Sequence, residues 1–104
     1  MKKLITKSLF NAVYNCDISK DSDMLRYYNN INIYEFAFKC KEWAFKNGRY
    51  VLQSQSYTVK DYKFTKGAFC YTHFSMVGIG NSHWADTEPE AIFKACNWIL
   101  ENSK

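Results

Sequence analysis

Trp43-Ala44-Phe45-Lys46-Asn47-Gly48-Arg49-Tyr50-Val51-Leu52-Gln53-Ser54-Gln55-Ser56-Tyr57-Thr58 is the stretch in which the chain changes period. Up to Lys46 apolar residues recur every three or four positions, the repeat of an amphipathic helix. From Arg49 they alternate, the repeat of a strand with one face on a core. Asn47-Gly48 stands between the two as a helix stop. A helix running directly into a strand, with more alternation following, predicts an α+β domain.

Upstream of this junction, residues 32 to 47 form the clearest helix, with Asn30 or Asn32 as N-cap. Ile33, Phe36, Ala37, Cys40, Trp43 and Ala44 make its main apolar face. Glu35 with Lys39 and Glu42 with Lys46 are i,i+4 pairs on a solvated stripe, each worth ~0.3 kcal/mol. A second stripe of Tyr34, Phe38, Lys41 and Phe45 leaves this helix with unusually little polar surface. Something besides a sheet must cover Phe38 and Phe45: either an N-terminal helix, or a second subunit or partner protein. That N-terminal helix is expected over residues 3 to 16, where Ile5, Leu9, Ala12, Val13 and Cys16 share a face. Residues 17 to 30 read as a connection with a short helical turn at 24 to 28.

Downstream, Ala68, Cys70, Thr72, Phe74 and Met76 alternate with Phe69, Tyr71, His73, Ser75 and Val77. This second strand is short and close in sequence to the first, which favours an antiparallel meander over a parallel crossover. Residues 79 to 85 are expected to add a third or fourth strand. Thr87-Glu88-Pro89-Glu90 is a capping box with proline in the first turn, and it opens a closing helix to about Asn102. Ala91 and Ala95 allow that helix to lie close against the sheet. The expected organisation is a single domain of 104 residues, with residues 1–30 as a helical extension and 31–104 as an α-β-β-(β)-α core.

The chain is 47% apolar and carries 19 aromatic residues, which excludes disorder, while four Gly and one Pro exclude linker or collagen-like composition. No apolar run approaches the ~20 residues of a membrane span, and the opening residues lack a signal peptide's apolar core. A soluble, cytoplasmic protein with no membrane partner is therefore expected. Cys16, Cys40, Cys70 and Cys96 are spread one per element with no CxxC, the distribution of buried free thiols. The net charge of +4 is uneven, with residues 31 to 67 at +4 and residues 68 to 104 at −2. Lys outnumbers Arg 12 to 2, which suits a solvated surface or point contacts to phosphate better than bidentate base reading.

Catalytic and metal chemistry have few candidates. The only histidines are His73 and His83, and Cys70 and His73 fall on opposite faces of one strand. No enzyme activity, cofactor or metal is expected. Gly78-Ile79-Gly80 fails both phosphate-loop fingerprints, and the helix beyond it opens with Asp86, Glu88 and Glu90, which repel an incoming anion. The same loop offers His83 and Trp84 as binding side chains. Tyr57, Lys60, Tyr62, Lys63, Phe64 and Lys66 interleave rings with ammonium groups, chemistry that suits a nucleotide, a single strand or a protein interface.

Trp84-Ala85-Asp86-Thr87-Glu88-Pro89-Glu90-Ala91-Ile92-Phe93-Lys94-Ala95-Cys96 resembles the closing motif of small phage and prophage proteins of the phage ABA-sandwich type. In those proteins a small residue, an acid, Thr and Pro precede Ala-Ile and a second Ala in the last helix. The resemblance implies a phage or mobile-element origin and an α-β-α layered fold, an antiparallel sheet of three or four strands with two main helices. It brings no catalytic residues. The expected function is antagonism of host defence, anti-CRISPR-like, by stoichiometric binding to a host protein or protein–nucleic acid complex. The alternatives are an oligomeric sponge for a cyclic-nucleotide immune signal and a nucleic-acid-binding accessory protein. A homo-oligomer is compatible with each.

Overall fold

The computed structural model describes residues 5–58, 66–74 and 80–102. The elements run α1 (Lys7–Tyr14), α2 (Ser22–Asn29), α3 (Ile33–Gly48), β1 (Tyr50–Thr58), β2 (Lys66–Phe74), β3 (Gly80–Ala85) and α4 (Glu88–Asn102). The fold is α+β, with an antiparallel sheet in the order β1-β2-β3 among the described residues.

Helix boundaries follow the capping chemistry. Thr6 accepts from the Leu9 amide and so starts α1 later than apolar spacing alone suggests, while Asn15 ends it in the left-handed region. Asp21 accepts from the amides of Asp23 and Met24, extending the expected turn into the two-turn helix α2. Asn32 caps α3 through the amides of Tyr34 and Glu35. The far end of α3 falls at Gly48, within the expected Asn47-Gly48 stop. Gly48 remains helical and Arg49 takes the left-handed conformation at φ 59. Glycine is needed at 48 for space: a Cβ there would stand 2.6 Å from the Tyr50 ring.

The meander is in simple register. Tyr50 faces Phe74 and Ser54 faces Cys70 between β1 and β2, while Cys70 faces His83 between β2 and β3. Leu52, Ala68, Cys70 and Thr72 are buried on one face, and Thr72 satisfies its hydroxyl through the Asn81 carbonyl and amide. Both α3 and α4 lie on that face. Trp98 of α4 meets the rings of Tyr50 and His83, and Glu88 accepts from the Ser54 hydroxyl at 2.6 Å. Ala91 and Ala95 are fully buried, as a close helix–sheet approach requires.

The layer order differs from the helix–sheet–helix order implied by the resemblance. It runs from the sheet to α3/α4, and then to α1 with α2. The sequence explains this directly. One sheet face offers the buried Leu52, Ala68 and Cys70, whereas on the other the exposed Gln53, Gln55 and Ser82 stand among the rings of Tyr71 and Trp84, a mixed surface that is less continuously apolar. On the outer side of the helix layer, Phe10 stacks on Phe36 at 5.8 Å, and Phe36 meets Phe93 at 5.6 Å. Tyr28 of α2 donates to the Ile5 carbonyl at 2.8 Å, holding the two N-terminal helices together.

All four cysteines are free thiols, three of them buried. The Cys96 thiol is pushed up by its hydrogen bond with Cys40 and by burial. No helix among the described residues is long and apolar enough to cross a membrane.

Candidate functional site

α3 has two apolar faces, and only one is covered. Phe36, Ala37, Cys40 and Ala44 are buried, with Ile33 and Trp43 packed at their margin. Tyr34, Phe38 and Phe45 lie on the neighbouring face at 72%, 63% and 50% exposure. The N-terminal helix expected as their cover sits elsewhere. Phe10 and Tyr14 stack on Phe36 instead, because the 36/37/40/44 face is the more continuously apolar and receives α1 and α4 together. Lys41, one turn from Phe38 and Phe45, is half-buried among them.

The exposed stripe borders a groove of about 530 Å³. Tyr34, Ala37, Phe38 and Lys41 form one wall. Ser56 and Gly67 close the end nearest the sheet, and residues 86 to 89 with Ile92 form the opposite wall. That second wall is firmly built. Thr87 accepts from the Glu90 amide at 3.4 Å, the N-cap half of a capping box, and its hydroxyl donates to the Glu90 carboxylate at 2.8 Å, and Pro89 is buried. Glu88 is anchored to Ser54, which sets a carboxylate across the groove from the Lys41 ammonium. Both charges act on the buried Cys70 thiol, which burial pushes up to about 12, helped by Cys96 and Glu88 and opposed by Lys41. The site therefore has aromatic and aliphatic walls with separated charges at its rim.

No protein-family model, no curated protein and no solved structure matches this chain. Its function must be argued from the groove and surfaces themselves.

The remaining candidate residues are placed less uniformly. Tyr57 and Lys66 are on β1 and β2, opposite Gly67 and Thr58, at the sheet end that also contributes Ser56 and Gly67 to the groove. Lys60, Tyr62, Lys63 and Phe64 lie outside the described residues. His83 and Trp84 do not act together as a loop pair. They are consecutive on β3 and so point to opposite faces. His83 faces α4 beside Trp98, and burial together with the Lys94 charge lowers its pKa. Trp84 is 57% exposed on the open face of the sheet.

Sequence reasoning missed the second wall of the groove as a binding element. Residues 86 to 89 carry a visible capping signal, but nothing local connects them to Tyr34 or Phe38, some fifty positions earlier. Among the described residues, no group of three or more His, Cys, Asp or Glu side chains is arranged to hold a metal ion.

Proposed function

We propose that this chain is a non-enzymatic binding protein that acts by stoichiometric occupation of a protein partner through the outer face of α3 and the adjoining groove. The observation that carries this reading is the exposure of Tyr34, Phe38 and Phe45 together on one helix face. Isolated exposed apolar residues need no explanation, but a contiguous aromatic stripe does.

The magnitudes favour a protein over a small ligand. The exposed parts of the three rings amount to about 300–450 Å², at ~150–250 Å² for a whole aromatic side chain. Covering them is worth roughly 7–11 kcal/mol at ~25 cal/mol per Å², before ordering and association costs of comparable size. The stripe alone falls short of the ~800 Å² per partner of a standard interface. Engaging the groove, with Lys41, Asp86 and Glu88 as a polar rim, extends the surface in the manner of an apolar centre with a charged edge.

The setting is supplied by the resemblance of residues 84 to 96 to small phage and prophage proteins. In that setting the partner is a host defence protein or complex, and the protein works as an antagonist in the host cytoplasm. The sponge and nucleic-acid alternatives draw on Tyr57 to Lys66, of which Lys60, Tyr62, Lys63 and Phe64 lie outside the described residues.

The test is affinity capture from a host lysate by the wild-type chain and by Phe38→Glu, with Gln53→Glu on the far sheet face as control. A protein retained in stoichiometric amount by wild type and Gln53→Glu, and lost from folded Phe38→Glu, supports the reading. Equal retention by all three refutes it.

A further inference from the structure

Strand β1 forms one edge of the sheet, and among the described residues nothing pairs with its outer side from Val51 to Ser56. An edge strand offers every second N–H and C=O to whatever extended chain approaches it, and proteins usually blunt such an edge with lysine, proline, a bulge or shortness. β1 has none of these defences. It is nine residues long, its register with β2 runs unbroken from Tyr50 to Thr58, and it contains no charged residue and no proline. The other edge is guarded: β3 has six residues, and Lys94 donates to its Trp84 carbonyl at 2.7 Å.

The uncovered stripe of α3 lies above that edge. α3 packs on β1, whereas α4 reaches across to β2 and β3. Cys40 of α3 meets Cys96 of α4, which marks the side of α3 turned to its neighbour. At 3.6 residues per turn, Phe38 and Phe45 stand about 150° round the helix from Cys40, and so face away from α4 toward the outer side of β1. Tyr34 shares the groove with Ser56 at one end, and α3 turns into β1 through Arg49 at the other, so the stripe runs along the strand. A helix is about 10 Å wide and strands stand about 4.8 Å apart, so α3 roofs two strand positions, of which β1 fills one. Tyr34 to Phe45 spans roughly 16 Å at about 1.5 Å per residue, the length of about five extended residues.

We propose that the empty position takes one extended segment of a partner protein, which adds to the sheet beside β1 beneath Phe38 and Phe45. This rests on the reading of α3 as the docking face and specifies what docks there. The segment has about five residues in strand conformation, with apolar side chains at alternate positions under the rings and polar ones on the face open to water. Space and area select this occupant over a second copy. A second β1 would bring its own α3, and two roofing helices cannot stand over strands about 4.8 Å apart when packed helices need about 8–10 Å. Pairing α3 with α3 through the stripe alone would bury about 300–450 Å² per chain, short of the ~800 Å² of a stable interface. A lone strand adds main-chain hydrogen bonds to that apolar area, and these need no large surface.

The experiment selects binders from a phage-displayed library of random dodecapeptides on the full-length protein, then measures the enriched peptides as synthetic, fluorescein-labelled copies by anisotropy. Expected are sequences with apolar residues at every second position, which Phe38→Glu should bind about tenfold or more weakly. N-methylation of alternate peptide bonds gives the decisive readout. One set of alternate positions should lose binding by about tenfold or more, and the other set should keep it, because a strand turns only every second N–H toward its neighbour. In the protein, slowed hydrogen exchange should fall on every second amide from Val51 to Ser56. No enriched peptide, equal losses from both N-methylated sets, or β1 amides left unprotected would overturn the proposal, as would a free protein that sediments as a dimer with those amides already protected. A peptide that protects only α3 would overturn the strand and leave the α3 docking face standing. Lysate capture undiminished by Phe38→Glu would remove the docking face itself, and the strand with it.

Discussion

Phe36 and Phe38 stand two positions apart on α3 and have opposite roles. Phe36 is fully buried between Phe10, Tyr14 and Phe93, whereas Phe38 has water on most of its surface. Phe36→Ala should therefore cost ~3–5 kcal/mol in urea unfolding. Phe38→Ala should stay within ~0.5 kcal/mol of wild type. His83 gives a pH signature. Burial and Lys94 hold its folded pKa below the ordinary 6.5, so the unfolded chain takes up a proton that the folded one refuses. Stability should fall as pH drops below about 6.5. Thermal melts at pH 7.5 and 5.5 check this, and His83→Gln should flatten the difference. Helical periodicity made the separation of Phe36 from Phe38 legible in the sequence. The placing of His83 against α4 was not, because it depends on the register of β3 and on which sheet face receives the helix.

At the scale of elements, capping chemistry was the most readable feature. Asn32 and Thr87 act as their sequence context predicts. Asn32→Ala should cost ~1 kcal/mol by loss of the two hydrogen bonds that the Tyr34 and Glu35 amides donate to its side chain. The helix ends at Gly48, where the sequence placed its stop, but Arg49 rather than the glycine takes the left-handed conformation, and the glycine is needed because the Tyr50 ring occupies the space of a Cβ. The three thiols of the α3, β2 and α4 interface are all buried. At pH 8 iodoacetamide should modify Cys16 ahead of Cys40, Cys70 and Cys96 in the folded protein, and all four in denaturant, as read by peptide mass spectrometry. Simultaneous modification of all four without denaturant would mean that the interface opens readily.

For the molecule as a whole, the described part of the N-terminal extension, residues 5–30, contributes to the core rather than standing apart from it. Ile5, Leu9 and Phe10 belong to the same buried cluster as Phe36 and Phe93. A chain beginning at residue 31 should lose cooperative thermal unfolding, since it exposes Phe36 and its neighbours to water. Local pattern and spacing conveyed the α+β class and the meander. The one-sided helix layer and the two-walled groove arise from long-range contacts, for which the sequence has no local signal. The central claim is that the uncovered α3 face is where the protein meets its partner. Hydroxyl-radical footprinting of the free and the partner-bound protein tests it most directly. Oxidation of Tyr34, Phe38 and Phe45 should fall on complex formation while that of Trp84, on the opposite side, stays constant. Unchanged oxidation of those three residues in a stoichiometric complex would contradict it.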